Sequence, residues 1–223
     1  EINGKESLKP FKLYIPNDPS TASFYAALCL LNNNSKIVLK RVHINPTRIG
    51  FYNILKKYNG KIIFKNKKIK GNEVVADVHV KSSKVKPLKV EAKYFVTCQD
   101  EFPIMFAIAC ILPGISIFKG IGDLINKESN RIKEMKSICS QIGIKTKSSK
   151  SEMKIYGNPN LNFKKKKIKV SGVYDHRILM SAAILSLLTG IKSELKNFEQ
   201  VGTSCPNFLA TISKLGGKFE KKN

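Results

Sequence analysis

Asp100-Glu-Phe-Pro-Ile-Met-Phe-Ala-Ile-Ala-Cys-Ile-Leu112, followed by Pro113-Gly114 and Ile115-Ser-Ile-Phe118, decides the fold of this 223-residue chain. It reads as an acidic residue, an almost wholly apolar helix rich in alanine, a turn and a strand. The same plan occurs at Asp18-Pro-Ser-Thr-Ala-Ser-Phe-Tyr-Ala-Ala-Leu-Cys-Leu-Leu31, followed by Lys36-Ile-Val-Leu-Lys40. It occurs again at Asp175-His-Arg-Ile-Leu-Met-Ser-Ala-Ala-Ile-Leu-Ser-Leu-Leu188, followed by Thr189-Gly190 and Ile191-Lys-Ser-Glu-Leu195. An aspartate at each opening is expected to cap its helix, because its carboxylate accepts the free amide hydrogens of the first turn.

Each of these segments leads into a second, amphipathic helix and then a strand. The second helices stop at Tyr58-Asn59-Gly60, Gln141-Ile142-Gly143 and Lys214-Leu215-Gly216-Gly217. Asparagine or glycine takes up the left-handed conformation that ends a helix. Helix openings and helix stops keep step along the chain, so two independent landmarks define one repeat. Alternating runs at Phe11–Ile15, Val74–Val80, Val90–Val96, Met153–Tyr156 and Ile168–Val170 are expected strands. The unit reads helix, strand, helix, strand, strand, strand. A period of roughly 80 residues is too long for a solenoid and fits a pseudo-symmetric α/β domain. Helices that are apolar all round must be buried, so the first helix of each unit belongs inside, with sheets around it.

Composition narrows the function. The formal charge is +24, from 40 basic and 16 acidic residues, and 42% of the chain is hydrophobic, enough to build a core. Only Arg41, Arg48, Arg131 and Arg177 are arginine, and every other basic residue is lysine. Nucleic-acid readers rely on the planar arginine fork, and no RNA-binding signature, zinc finger or basic zipper is present. The lysines are read as a biased surface, and no nucleic-acid partner is expected. The 5 cysteines are widely spaced and form no CxxC pair. This excludes a zinc knuckle and a disulfide framework and places the chain in a reducing compartment, the cytoplasm. No membrane span or signal peptide is read.

Six short motifs fall in order along this framework: Pro16-Asn-Asp-Pro-Ser-Thr-Ala22, His43-Ile-Asn-Pro-Thr-Arg-Ile-Gly50, Asp100-Glu-Phe-Pro103, Lys127-Glu-Ser-Asn-Arg131, Asp175-His-Arg-Ile178 and Thr203-Ser-Cys-Pro206. Together they closely resemble the 5-enolpyruvylshikimate-3-phosphate synthase family, the 3-phosphoshikimate 1-carboxyvinyltransferases, over its C-terminal half. The resemblance implies an inside-out α/β barrel built from repeated βαβαββ units. It implies that residues 1–43 close a first domain, that 44–223 form a second, and that a hinge lies near 44–48. The chain begins with glutamate and with a partial unit whose apolar helix would lack cover. It is therefore expected to be part of a longer chain, missing most of an N-terminal domain.

The resemblance also implies an activity: transfer of the enolpyruvyl group of phosphoenolpyruvate to the 5-hydroxyl of shikimate 3-phosphate, by addition and then elimination of phosphate. No cofactor or metal is implied, and the full-length enzymes of the family are expected to be monomers. Asp100 matches the aspartate that holds the shikimate hydroxyls and is a candidate base. Glu128 matches the glutamate proposed to shuttle protons at carbon 3. Lys127 matches a lysine at the shikimate hydroxyls, Arg131 and Arg177 the pair that clamps phosphoenolpyruvate, and His176 a neighbouring histidine. Ser20 and Thr21 match a helix-start pair of which the second binds the 3-phosphate. A helix cap is the plain alternative for Asp100, His176, Ser20 and Thr21, and an ion pair is the alternative for the arginines. Arg48 is read as structural or interdomain. Asn130, Leu179 and Thr203 depart from common family residues, and Asn130 is expected to weaken an ion pair orienting Arg131. A non-catalytic or regulatory derivative of the family, and an enzyme like the RNA 3′-phosphate cyclases, are the competing readings.

Overall fold

The computed structural model describes residues 4, 7 and 9–220. The first residues of the expected 1–43 segment lie outside the described residues. Helix α1 (Pro19–Leu31) starts after Asp18, whose Oδ2 accepts the Thr21 amide at 2.7 Å. Strand β1 (Lys36–His43) follows, then a short 3-10 turn (Pro46–Arg48), helix α2 (Gly50–Lys57) and strands β2 (Lys61–Lys70), β3 (Glu73–Lys81) and β4 (Lys89–Val90). The second unit repeats this order. Short helix α3 (Phe95–Cys98) leads to α4 (Phe102–Cys110), β5 (Gly114–Lys119), α5 (Arg131–Gln141), β6 (Lys145–Ser148), β7 (Glu152–Gly157) and β8 (Lys167–Val170). The third unit supplies α6 (His176–Thr189), β9 (Lys192–Leu195) and α7 (Phe208–Lys214). The expected stops hold: Asn59, Gly143 and Gly216 adopt φ of 74°, 80° and 90°, where glycine and asparagine are least strained.

The sheets obey the repeat as strictly as the helices. One sheet has the order β1-β3-β2, all antiparallel, and another β4-β5-β7-β6, in which β5, β7 and β6 repeat that pattern. In each case the last strand of one unit runs parallel to the first strand of the next: β4 beside β5, and β8 beside β9. The parallel bridge of Asn17 to Val42 occupies the same place beside β1. Helices α1, α4 and α6 pack on one another, and all nine residues of α4 are buried. The apolar helices lie inside and the sheets outside, the inside-out arrangement that all-round apolar helices require.

Four expectations change. The run Val90–Val96 is a strand only at Lys89–Val90; Ala92–Tyr94 is a 3-10 turn and Phe95 opens α3. Phe95 packs against Phe102 with ring centroids 5.6 Å apart, and this contact outweighs the alternating pattern. Phe11–Ile15 is not a strand, and Phe11 is 81% exposed: among the described residues only Asn17 reaches a ladder, and alternation alone does not hold a strand without a partner. Residues on both sides of 43/44 pack together, as β1 pairs with β3 from Lys36↔Lys81 to His43↔Val75 and α1 shares one hydrophobic core with α4 and α6. For the same reason α1 does not lack cover. Finally, Asp100 does not cap α4. It lies in a 3-10 turn (Gln99–Glu101), and α4 starts without a side-chain cap. Among the described residues no helix is long and apolar enough to cross a membrane.

Candidate active site

The N-terminal ends of α1, α4 and α6 come together at one end of the core, and the Asp100, Asp175 and Lys127-Glu-Ser-Asn-Arg131 motifs meet there. Asp175 is the innermost group. Its Oδ1 caps α6 by accepting the Arg177 amide at 2.9 Å. Its Oδ2 accepts Nε of Arg131 at 2.9 Å and the Ser129 hydroxyl at 3.1 Å. Both partners of this ion pair are fully buried.

Arg131 is the node of the cluster. Besides Asp175, its Nη1 donates to Oδ1 of Asp100 at 3.2 Å and its Nη2 to Oε2 of Glu128 at 2.5 Å. Burial alone would lower its pKa; Asp175, Glu128 and Asp100 outweigh burial and raise it. Asn130 takes no part in this pairing. It caps α5, accepting the Lys133 amide at 3.0 Å, a role in which asparagine equals aspartate. The expected weakening of Arg131 through Asn130 is therefore corrected: three carboxylates hold the guanidinium directly.

Asp100 bridges two arginines. Its other oxygen, Oδ2, lies 3.2 Å from Nη2 of Arg177. Burial pushes the Asp100 carboxyl up, but Arg177, Arg131 and Lys127 outweigh it and hold the group below the usual carboxylate range. It is ionised at neutral pH. Nε of Arg177 and Nε2 of His176 are buried, with no hydrogen-bond partner among the described residues. Burial, followed by the neighbouring Arg177, lowers the His176 pKa, so its ring is neutral near pH 7. Lys127 donates to Oε1 of Gln99 at 2.7 Å. Glu128 is the most open acid of the group, with 48% of its side chain exposed.

Ser20 and Thr21 lie at the start of α1. Ser20 is buried and its Oγ accepts from Nη2 of Arg48 at 3.3 Å. The Thr21 hydroxyl donates to Asp18 at 3.0 Å, and Asp18 also accepts the Thr21 amide. Both hydroxyls are engaged within the protein. Arg48, read as structural, joins α1 to the turn before α2 by its contact of 3.2 Å with Oδ1 of Asp18. The structure thus brings together Asp100, Glu128, Arg131, Lys127, His176 and Arg177, and sets Ser20 and Thr21 apart in a neighbouring cluster.

Sequence reasoning missed the inner role of Asp175 because capping α6 accounts for only one of its two oxygens. It missed Glu101 as well, an acid beside the all-apolar α4. Its signal was a charge in a run that must be buried.

Asp100, Glu128 and Asp175 face Arg131, Arg177 and Lys127, so these formal charges balance. The cluster fixes the position of an ionised acid and leaves Nε of Arg177 and Nε2 of His176 without partners among the described residues. It has no surplus of positive charge for a multiply charged anion.

Comparison with known proteins follows the same lines. The family model described as EPSP synthase (3-phosphoshikimate 1-carboxyvinyltransferase) matches residues 1–212. A 3-phosphoshikimate 1-carboxyvinyltransferase of Zymomonas mobilis is 34% identical over 221 residues, covering 98% of this chain and 49% of that protein. The enzyme of that name from Aquifex aeolicus is 34% identical over 219 residues, covering 96% and 49%. The solved EPSP synthase from Acinetobacter baumannii superposes with a TM-score of 0.83 at 27% identity, covering 94% of this chain and 48% of that one. The enolpyruvyl transferase NikO from Streptomyces tendae, at 12% identity and a TM-score of 0.62, shares the fold. The chain spans about half the length of the curated relatives it matches.

Proposed function

The chain belongs to the EPSP synthase family, and from that premise we propose that it forms one wall of an active site that transfers the enolpyruvyl group of phosphoenolpyruvate to the 5-hydroxyl of shikimate 3-phosphate. The products are 5-enolpyruvylshikimate 3-phosphate and phosphate. In this proposal the other wall comes from the portion of the relatives that these 223 residues do not span. The balanced charge of the cluster supports this, because further cations are needed to hold two phosphates and two carboxylates.

The observation on which the proposal rests is Asp100, held ionised between Arg131 and Arg177. A carboxylate so fixed accepts the proton of the attacking hydroxyl as general base. Glu128, on the open side of Arg131, takes up a proton from solvent, hands it to carbon 3 of phosphoenolpyruvate and receives it back at elimination, while the hydroxyl proton held by Asp100 leaves with phosphate. The unpaired Nε of Arg177 and Nε2 of His176 supply donors to the phosphoenolpyruvate anion, where charge-assisted bonds are strongest. Lys127 serves the shikimate hydroxyls. Arg131 acts by holding Asp100 and Glu128, since each of its nitrogens already faces a carboxylate. Ser20 and Thr21 are left out of the substrate contacts, because both hydroxyls are already bonded within the protein. We place the reaction in the cytoplasm, supported by the five unpaired, buried cysteines, and read the full-length form as a monomer.

The test joins this chain in frame to the N-terminal half of the Zymomonas mobilis relative and supplies both substrates. Phosphorus NMR should show phosphate and 5-enolpyruvylshikimate 3-phosphate rising together. A folded chimera that consumes neither substrate would overturn the proposal.

A further inference from the structure

Glu101 is the acid at this end of the core that the proposed chemistry leaves unused. It is 3% exposed, between the starts of α1 and α4. Among the described residues the ion pairs here go to Asp18, Asp100, Glu128 and Asp175, and none goes to Glu101. The groups facing it come from several elements: the Ser20 hydroxyl and Asp18 from the start of α1, Arg177 from α6 and Asp100 from its own turn. Tyr52 on α2 and Cys98 on α3, both raised first by burial, are raised further by its charge. A carboxyl without a close cation, beside two other acids and out of water, resists ionisation.

We propose that Glu101 is a positioning residue that takes up a proton when an anion docks against Arg177, so that ligand binding at this end of the core is linked to protonation. The inference rests on the anion site of the proposed function and adds a group to it. A second negative charge near Glu101 raises its affinity for a proton, and by reciprocity the protonated acid raises affinity for the anion. The proton comes from solvent, and no bond other than O–H forms. In its neutral form Glu101 does not compete with the ligand for Arg177. Burial, the largest influence, already pushes the carboxyl up to about 7 in the unliganded protein, against the pull of Ser20 and Arg177. Small changes of field therefore move its charge near neutral pH.

Two measurements decide it, the first on the 223-residue chain and the second on its chimera with the N-terminal half of the Zymomonas mobilis relative. Carbon-13 NMR of the Glu101 carboxyl, assigned by its loss in Glu101→Gln, should show an inflection near neutral pH; titration below pH 5 would overturn the inference. Calorimetry of phosphoenolpyruvate binding at pH 7, in buffers of different ionisation enthalpy, should show roughly half a proton more taken up by the wild type than by Glu101→Gln. Equal uptake by the two proteins would overturn it. Failure of phosphoenolpyruvate to bind either chimera would count against the proposed function, and the carboxyl titration would still decide the role of Glu101.

Discussion

Arg131 and Arg177 are chemically identical and sit in the same cluster, but their environments assign them different work. Arg131 is fully buried and each of its nitrogens meets a carboxylate. Removing one partner of such a network leaves a bare charge in the core, at a cost of about 3–5 kcal/mol. Asp175→Ala should therefore destabilise the chain by about that amount, plus about 1 kcal/mol for the lost cap of α6. Denaturant titration measures it. Arg177 has one ion-pair partner and retains 13% side-chain exposure, so Arg177→Gln should cost much less stability and weaken phosphoenolpyruvate binding instead. Glu101 gives a pH signature of its own. Its folded pKa of about 7 lies above the ordinary 4.5, so its contribution to stability is greatest below pH 4.5 and falls as pH rises to 7. By linkage the loss is on the order of 3 kcal/mol. Glu101→Gln should abolish this fall, so that melting temperatures of the two proteins diverge between pH 5 and pH 8 with the variant higher at pH 8.

At the scale of elements, the first sheet is held by a side chain that no motif marked. β1 and β2 each carry an irregularity, between Leu39 and Val42 and between Lys65 and Lys68. Asp77 on the central strand β3 clamps both: it accepts from the Arg41 amide and from Asn66, each at 3.0 Å, and pairs with Lys40. Arg41 and Asn66 have φ of 51° and 53°, a region costly for arginine and easier for asparagine. The Asn66 bond, the Arg41 amide and Lys40 together hold the Asp77 carboxyl well below its usual range. Asp77→Ala should speed amide exchange on both sides of the sheet, at Arg41 and Asn66, while leaving α4 protected. The inner helices answer differently. Phe106→Ala in α4, which removes a ring packed 4.8 Å from Phe118, should cost about 3–5 kcal/mol. What could be read beforehand follows from the physics of each element. Helix positions and stops were legible at Asp18, Asn59 and Gly143, because caps and left-handed turns are local. β7 was legible because one face of it, Met153 and Ile155, is buried, and β3 because valines recur along it. Val90–Val96 was not, because the contact of Phe95 with Phe102 lies outside any local pattern, and the clamp of Asp77 depends on two neighbouring strands.

For the whole molecule, the +24 charge and the site have little to do with each other. The lysines of β2, such as Lys65, Lys67 and Lys68, are exposed on an outer strand, whereas three of the four arginines, Arg48, Arg131 and Arg177, gather at one end of the three helices. The motifs foretold which residues meet there. They could not foretell that Asp100 would serve arginines rather than cap α4, nor that Ser20 and Thr21 would be occupied, since both outcomes depend on how three repeats close against one another. With its site charges balanced, the 223-residue chain alone should show no useful turnover, and the chimera with the N-terminal half of a relative should restore it. The most direct test compares that chimera with its Asp100→Asn variant, in which the amide keeps the shape and loses the basic charge. The account predicts a fall in the rate of 5-enolpyruvylshikimate 3-phosphate formation of about 10²–10⁴-fold, with the fold retained. Turnover by the variant at the rate of the parent chimera would contradict it.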